Sequence, residues 1–132
     1  MKIVSTRVDV NASQDEIFSF LINSSNLIYL LPQDKISDWK STETECSFKA
    51  QGGFLISLIQ NGSEGRSKVF MKSGEKSPFP FQLTLFINDI NGKSNGHIEF
   101  DGEVNFFLKK IAEKPLTELF NHMAIKIQEY FK

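Results

Sequence analysis

Apolar side chains recur every three or four positions over residues 115–132, and this stretch follows a long run of strand-like segments that are almost free of helical pattern. Leu116, Leu119, Phe120, Met123, Ile127 and Tyr130 form one stripe, and Glu118, His122, Lys126 and Glu129 fall on the opposite side. This is an amphipathic helix with one face to bury. A sheet that is apolar on one side must also cover that side, and a single C-terminal helix laid across a curved antiparallel sheet does both, with room for a guest between them.

The segments upstream read as about seven strands. Over residues 3–10, Val4, Thr6, Val8 and Val10 alternate with Ser5, Arg7 and Asp9, the period of a half-buried strand. Ser13-Gln14-Asp15-Glu16 fits a capping box, so a short helix is expected there with Ile17, Phe20 and Leu21 on its inner face. A second short helical segment ends before Pro32. Strands are expected over residues 36–41, 45–51, 54–60 and 66–73, with Gly52-Gly53 as a bend and Asn61-Gly62 as a hairpin turn. Residues 54–60 are too evenly apolar to assign an inward face. The clearest alternation places Phe81, Leu83, Leu85 and Ile87 inward on one strand, then Ile98, Phe100 and Val104 inward on the next. Asn105 is a plausible cap for a short helical approach, and Pro115 is expected to start the last helix at its favoured first position.

At 132 residues the chain is expected to be a single domain, 1–132. Fifteen Lys and Arg against sixteen Asp and Glu give a net charge of -1, which argues against nucleic-acid binding. No apolar window reaches the length of a membrane span and no secretory core precedes the first strand, so a cytoplasmic protein without stable membrane insertion is expected. Cys46 has no partner for a disulfide and reads as a small core residue. Two separated histidines, one cysteine and no carboxylate cluster offer no metal or cofactor site. Thirteen Phe against two Tyr and one Trp make any pocket poor in hydrogen-bond donors.

The order of strand, two small helices, strands and long last helix, together with particular segments, resembles the START-like superfamily, also called SRPBCC. Those segments are Val8-Asp9-Val10-Asn11-Ala12-Ser13 leading into Glu16-Ile17-Phe18 with Leu21 and Leu31-Pro32. Asp38-Trp39, Cys46-Ser47-Phe48, and Asn105 followed by Glu113-Lys114-Pro115-Leu116 complete the set. The resemblance covers essentially the whole chain and is to small bacterial members without a settled biochemical role. It implies an α+β helix-grip fold: a curved antiparallel sheet of about seven strands, two short N-terminal helices and one long C-terminal helix packed across the sheet. Members of the superfamily carry lipids and other small molecules, act as polyketide cyclases or aromatases, or activate a chaperone ATPase, so the resemblance implies fold more firmly than task.

The leading expectation is binding or carriage of a small apolar or amphipathic ligand between sheet and last helix. The expected ligand-facing set is Phe48, Phe54, Ile56, Val69, Met71, Leu83, Leu85, Phe100, Leu119, Met123 and Ile127. Magnitudes limit the space. An empty dry cavity costs on the order of 24 cal/mol per Å³, so ~300 Å³ would cost roughly 7 kcal/mol against a total stability of about 5 to 15 kcal/mol. A modest pocket is therefore expected. A cyclase- or aromatase-like enzyme is the alternative, but it needs an acid or base inside the cavity, and His97 and His122 both fall on polar faces and are expected to be exposed. Tyr29, Tyr130 and Arg7 remain as polar anchors at a mouth. A third possibility is a protein-interaction module, using Phe79 or Phe106-Phe107 as an exposed apolar patch.

Overall fold

The computed structural model describes residues 1–132. Eight strands form one antiparallel sheet: β1 (Lys2–Val4), β2 (Val8–Val10), β3 (Ser37–Ser41), β4 (Glu45–Lys49), β5 (Leu55–Glu64), β6 (Lys68–Ser73), β7 (Phe81–Ile90) and β8 (Lys93–Gly102). Their spatial order is β1-β8-β7-β6-β5-β4-β3, with β2 also paired to β8. Helix α1 (Gln14–Leu21) and the 3-10 helix η1 (Ser24–Leu30) separate β2 from β3, and helix α2 (Phe106–Tyr130) closes the chain. The three helices share the concave face of the sheet. Helix α2 packs over β1, β2 and β8, α1 over β7 and β6, and η1 over β4 and β3.

Local chemistry sets the helix ends. The Ser13 hydroxyl accepts from the Glu16 N–H at 3.2 Å, while Glu16 Oε1 accepts from the Ser13 N–H at 3.4 Å. This is the expected capping box. Asn23 caps η1 by accepting from the Ser25 N–H, and Asn105 caps α2 by accepting from the Leu108 N–H at 2.8 Å.

Helix α2 differs from expectation. It is one 25-residue helix with Pro115 in its interior, rather than a short approach followed by a restart. Pro115 cannot donate to the Ile111 carbonyl, but the helix continues because Ala112 and Leu116, on either side of the proline, are both fully buried. Packing overrides the missing bond. Two side-chain bonds also fasten α2 to the first strands: Asn121 Oδ1 accepts from the Thr6 N–H at 2.7 Å, and Gln128 donates to the Asp9 carbonyl at 2.9 Å.

The first strand is also broken where continuity was expected. Ile3 pairs with Phe100 and Val4 with Glu99, but Val8 pairs with Gly96, a slip of one residue. Ser5 sits in the break, its N–H donating to the Ile98 carbonyl and its hydroxyl accepting from the Ile98 N–H, both at 2.8 Å. The slip reverses the phase of the segment before it. Ile3 and Ser5 point inward, and Val4 and Thr6 are exposed. A similar slip occurs at Asn61-Gly62. These residues do not form the expected hairpin turn; β5 runs through them to Glu64 and turns at residues 65–67. The register shifts by one between Gln60 and Ser63, and Gly62 adopts φ 88°, which a bulge requires and glycine permits.

Elsewhere the alternation holds. Phe81, Leu83, Leu85 and Ile87 of β7 and Ile98 and Phe100 of β8 are buried together. The undecided strand resolves with Ile56 and Leu58 inward and Leu55, Ser57 and Ile59 half-buried on the outer face.

Candidate functional site

The space between sheet and helices is closed by phenylalanine. At one end Phe100 packs against Phe79, Phe81 and Phe120, with ring centroids at 6.2, 5.1 and 5.3 Å. At the other, Phe20 packs against Tyr130 at 4.4 Å, Phe131 at 5.5 Å and Tyr29 at 6.4 Å. Between these clusters remains a void of about 10 Å³ beneath Gly96, lined by Val8, Ile17, Leu85, Ala124 and Ile127 among others. That is about the volume of one water position, far below a ligand site of roughly 300 Å³.

The eleven residues expected to face a ligand are therefore mostly core. Phe48, Ile56, Val69, Met71, Leu83, Leu85, Phe100, Leu119, Met123 and Ile127 are buried, and Phe54 is half-buried against the same cluster. Their inward direction follows from the alternation, but they pack on one another instead of walling an open chamber. Leu85 and Ile127 border the small void. Leu119 alone reaches the larger space described next.

That space is a cleft of about 220 Å³ between the middle of α2, the segment leading into β3 and the end of β4. Its apolar side is made by Pro32, Ile36, Ala50, Pro115 and Leu119, and its polar side by Lys35, Gln51, Glu118 and His122. Larger hollows of about 410 and 330 Å³ lie on the outside of the sheet, but they are more open and few of their lining residues are apolar. The cleft is the one that joins apolar floor to polar rim at the junction of helix and sheet.

His122 corrects a sequence expectation. Its spacing puts it on the solvent side of its helix, yet its Nε2 is sealed from solvent and has no hydrogen-bond partner. The reason is nonlocal: the chain between η1 and β3 folds against this part of α2 and contributes Pro32, Lys35 and Ile36 to the same cleft. Burial, and then the charge of Lys126, hold the imidazole below the usual histidine range, with Glu129 and Asp34 opposing and Lys35 adding to the shift. The ring is neutral at neutral pH. A buried polar atom without a partner costs about 1 to 3 kcal/mol, so a turn of the ring that brought Nε2 to the cleft would let a guest supply the missing partner.

His97 is the second correction. It lies on the outer face of β8 as the alternation requires, but it is only 6 % exposed. The Phe86 ring stacks on it, and its Nε2 lies 2.9 Å from Glu99 Oε2. Arg7 stands nearby, its Nη1 3.4 Å from His97 Nδ1, on the outer face and remote from the cleft. Tyr29 and Tyr130 are half exposed at the other aromatic cluster. Phe79 is buried against Phe81 and Phe100 and offers no exposed patch, whereas Phe106 and Phe107 are exposed. Trp39 stacks on Phe48 at 6.2 Å as a packing residue at the sheet edge. Cys46 is buried, and desolvation pushes its thiol up to about 12.

Comparison with solved structures decides the fold. A START superfamily protein from Mycobacterium smegmatis superimposes with a TM-score of 0.70 over 98 % of this chain and 96 % of its own, at 13 % identity. The chain has the START-like helix-grip fold. A protein named KanY is similar with a TM-score of 0.77 at 12 % identity, over 99 % of this chain and 97 % of its own. Norcoclaurine synthase from Thalictrum flavum is similar with a TM-score of 0.70 at 15 % identity, over 98 % and 86 %. No protein-family model matches the chain, and no curated protein matches it in sequence. Helix-grip proteins of this kind include ligand-binding and cyclase-like members. No helix of the chain is long and apolar enough to cross a membrane.

Proposed function

We propose that the protein binds a small amphipathic molecule in the cleft between α2 and the ends of β3 and β4. The observation that carries this reading is a cleft of about 220 Å³ in which an apolar floor meets His122, whose Nε2 lacks a partner. The apolar part of a guest would cover Leu119, Ile36 and Ala50, and a polar group would meet Lys35, Gln51, Glu118 or His122. The filled interior argues for a short guest, because the phenylalanines leave no path for a long chain toward Phe100. The other expected ligand-facing residues then serve as the rigid wall that holds Leu119 in place.

Thermal denaturation against a panel of short amphiphiles tests this. A guest at one hundred times its Kd adds about 2.7 kcal/mol, which is several degrees in Tm. Glu118 is exposed at the rim, so Glu118→Trp should fold normally, cover the cleft and abolish the shift. No shift across the panel, or a shift indifferent to Glu118→Trp, would refute the reading. Native mass spectrometry of protein purified without detergent would identify a co-purifying guest.

A second reading is acid–base chemistry on such a guest. It draws on His122, a neutral imidazole in the wall of the cleft with Glu118 on the same helix face. Turnover of a bound guest that disappears in His122→Gln while binding persists would favour the enzyme over the carrier.

A further inference from the structure

Helix α2 begins before it reaches the sheet. Its first buried residue is Ala112, and the residues ahead of it carry Phe106 at 74 % exposure, Phe107 at 70 % and Ile111 at 45 %. Leu108 alone of this apolar group packs against the core. Phe107, Ile111 and Lys114 follow helical spacing along one side, and Lys110 Nζ lies 4.6 Å from the centroid of the Phe106 ring. Residues 106–114 contain Lys109, Lys110 and Lys114 against Glu113 alone, a net charge of 3 − 1 = +2 in a chain whose total is -1. Only Lys109 is in an ion pair, a long one of 3.9 Å to Glu113 between half-exposed side chains.

We propose that this overhanging segment is a docking element for an anionic lipid bilayer surface. Exposed aromatic side chains interleaved with lysine are the composition of an interfacial helix, in which the rings enter the headgroup boundary and the ammonium groups meet anionic lipids. Charge selects this occupant over a second copy of the chain. A self-complementary contact through the patch would oppose one set of three lysines to another. The position adds a consequence. Pro115, which follows the segment, also lines the cleft, and the register places the loop after β4 and the chain before β3 at the same end of the sheet as Gly102 and the start of α2. Docking through Phe106 and Phe107 would bring the cleft close to the bilayer. The docking element itself does not depend on the cleft having a ligand.

Vesicle co-sedimentation tests it with the intact protein. Vesicles of phosphatidylcholine mixed with phosphatidylglycerol should bind the protein at low salt, and binding should fade as salt screens the lysines. Replacing any one of the three lysines by Gln should weaken partitioning by roughly fivefold, and Phe106→Ser with Phe107→Ser by more than about tenfold. Both phenylalanines are exposed, so the double variant should melt with the native protein, which separates lost docking from lost folding. Absence of binding to mixed vesicles at low salt, equal binding to phosphatidylcholine alone, or binding unchanged in the double variant would overturn the proposal. So would a dimer that forms with rising concentration and vanishes in the double variant, which would assign the patch to a second copy.

Discussion

The imidazole of His97 stacks on the Phe86 ring, the two planes within 8° of parallel and the centroids 4.3 Å apart, on the outer face of the sheet. The two residues are cross-strand partners in the β7–β8 pair, and the stack holds His97 Nε2 against Glu99. That hydrogen bond, ahead of the charges of His97, Lys2 and Arg7, keeps the Glu99 carboxyl below its ordinary 4.5. A depressed carboxyl stabilises the fold above its unfolded-state pKa and loses that contribution as pH falls through the folded value.

His97→Ala should therefore raise the Glu99 pKa, as read by a carboxyl titration in NMR. Its melting temperature should also decline less steeply than the native protein's as pH falls below 4.5. A Glu99 titration unchanged in His97→Ala would show that the hydrogen bond is not what holds the carboxyl down.

Phe100 is the centre of the aromatic cluster that closes the interior. Truncating Phe100→Ala should cost about 3 to 5 kcal/mol in denaturant unfolding, because the three neighbouring rings cannot all collapse into the gap. The resulting dry cavity should accept a small arene, so benzene should raise the Tm of the variant and leave the native protein unaffected. Equal response in both proteins would mean that the native interior already has ligand-sized space.

Cys46 faces inward on β4 with Phe48. Desolvation by burial, with a smaller contribution from Glu45, pushes its thiol up to about 12, so almost no thiolate exists at neutral pH. Iodoacetamide should leave the folded protein unmodified and alkylate it quantitatively in urea. Rapid labelling of the native state would contradict the packed position of this strand.

His122 has the same sign of pH dependence as Glu99, in a higher pH window, although in the fold it is the neutral form that is favoured. Its folded pKa is depressed below 6.5 by burial and then by Lys126, so the unfolded chain takes up a proton first as pH falls. Stability is fully present above 6.5 and declines from there down to the folded value. His122→Gln should flatten the dependence of Tm on pH over that window, with little change at pH 8. A bound guest that accepts a hydrogen bond from His122 should raise its folded pKa toward 6.5 and narrow the window, which a histidine NMR titration would follow.

Several features needed only neighbouring residues to be read. Ser13 and Glu16 form their capping box within one helical turn, and Asn105 caps α2 through the Leu108 N–H three residues on. The inward set of β7 follows from a period of two, because successive side chains on a strand must alternate. The amphipathic stripe from Leu116 to Ile127 fixes which side of α2 meets the sheet for the same geometric reason. Other features were closed to such reading. The slip at Ser5 is decided by its paired bonds to Ile98, more than ninety residues away, and the bulge at Gly62 by pairing with β6. Pro115 stayed inside a helix because Ala112 and Leu116 found a surface to bury against.

The sequence by itself determined the inward sides of β4, β7, β8 and the second half of α2, the caps at Ser13 and Asn105, and the helix-grip order of elements, since these depend on periodicity and hydrogen bonds between near neighbours. Only the tertiary structure decided how much room remains. Volume between sheet and helices is the residue of many packed side chains from distant segments: Phe79, Phe81, Phe100 and Phe120 converge from two strands, a loop and a helix to fill the centre. The same convergence laid the chain before β3 against α2, leaving the cleft at the margin and enclosing His122 on a face whose spacing reads as solvent-exposed.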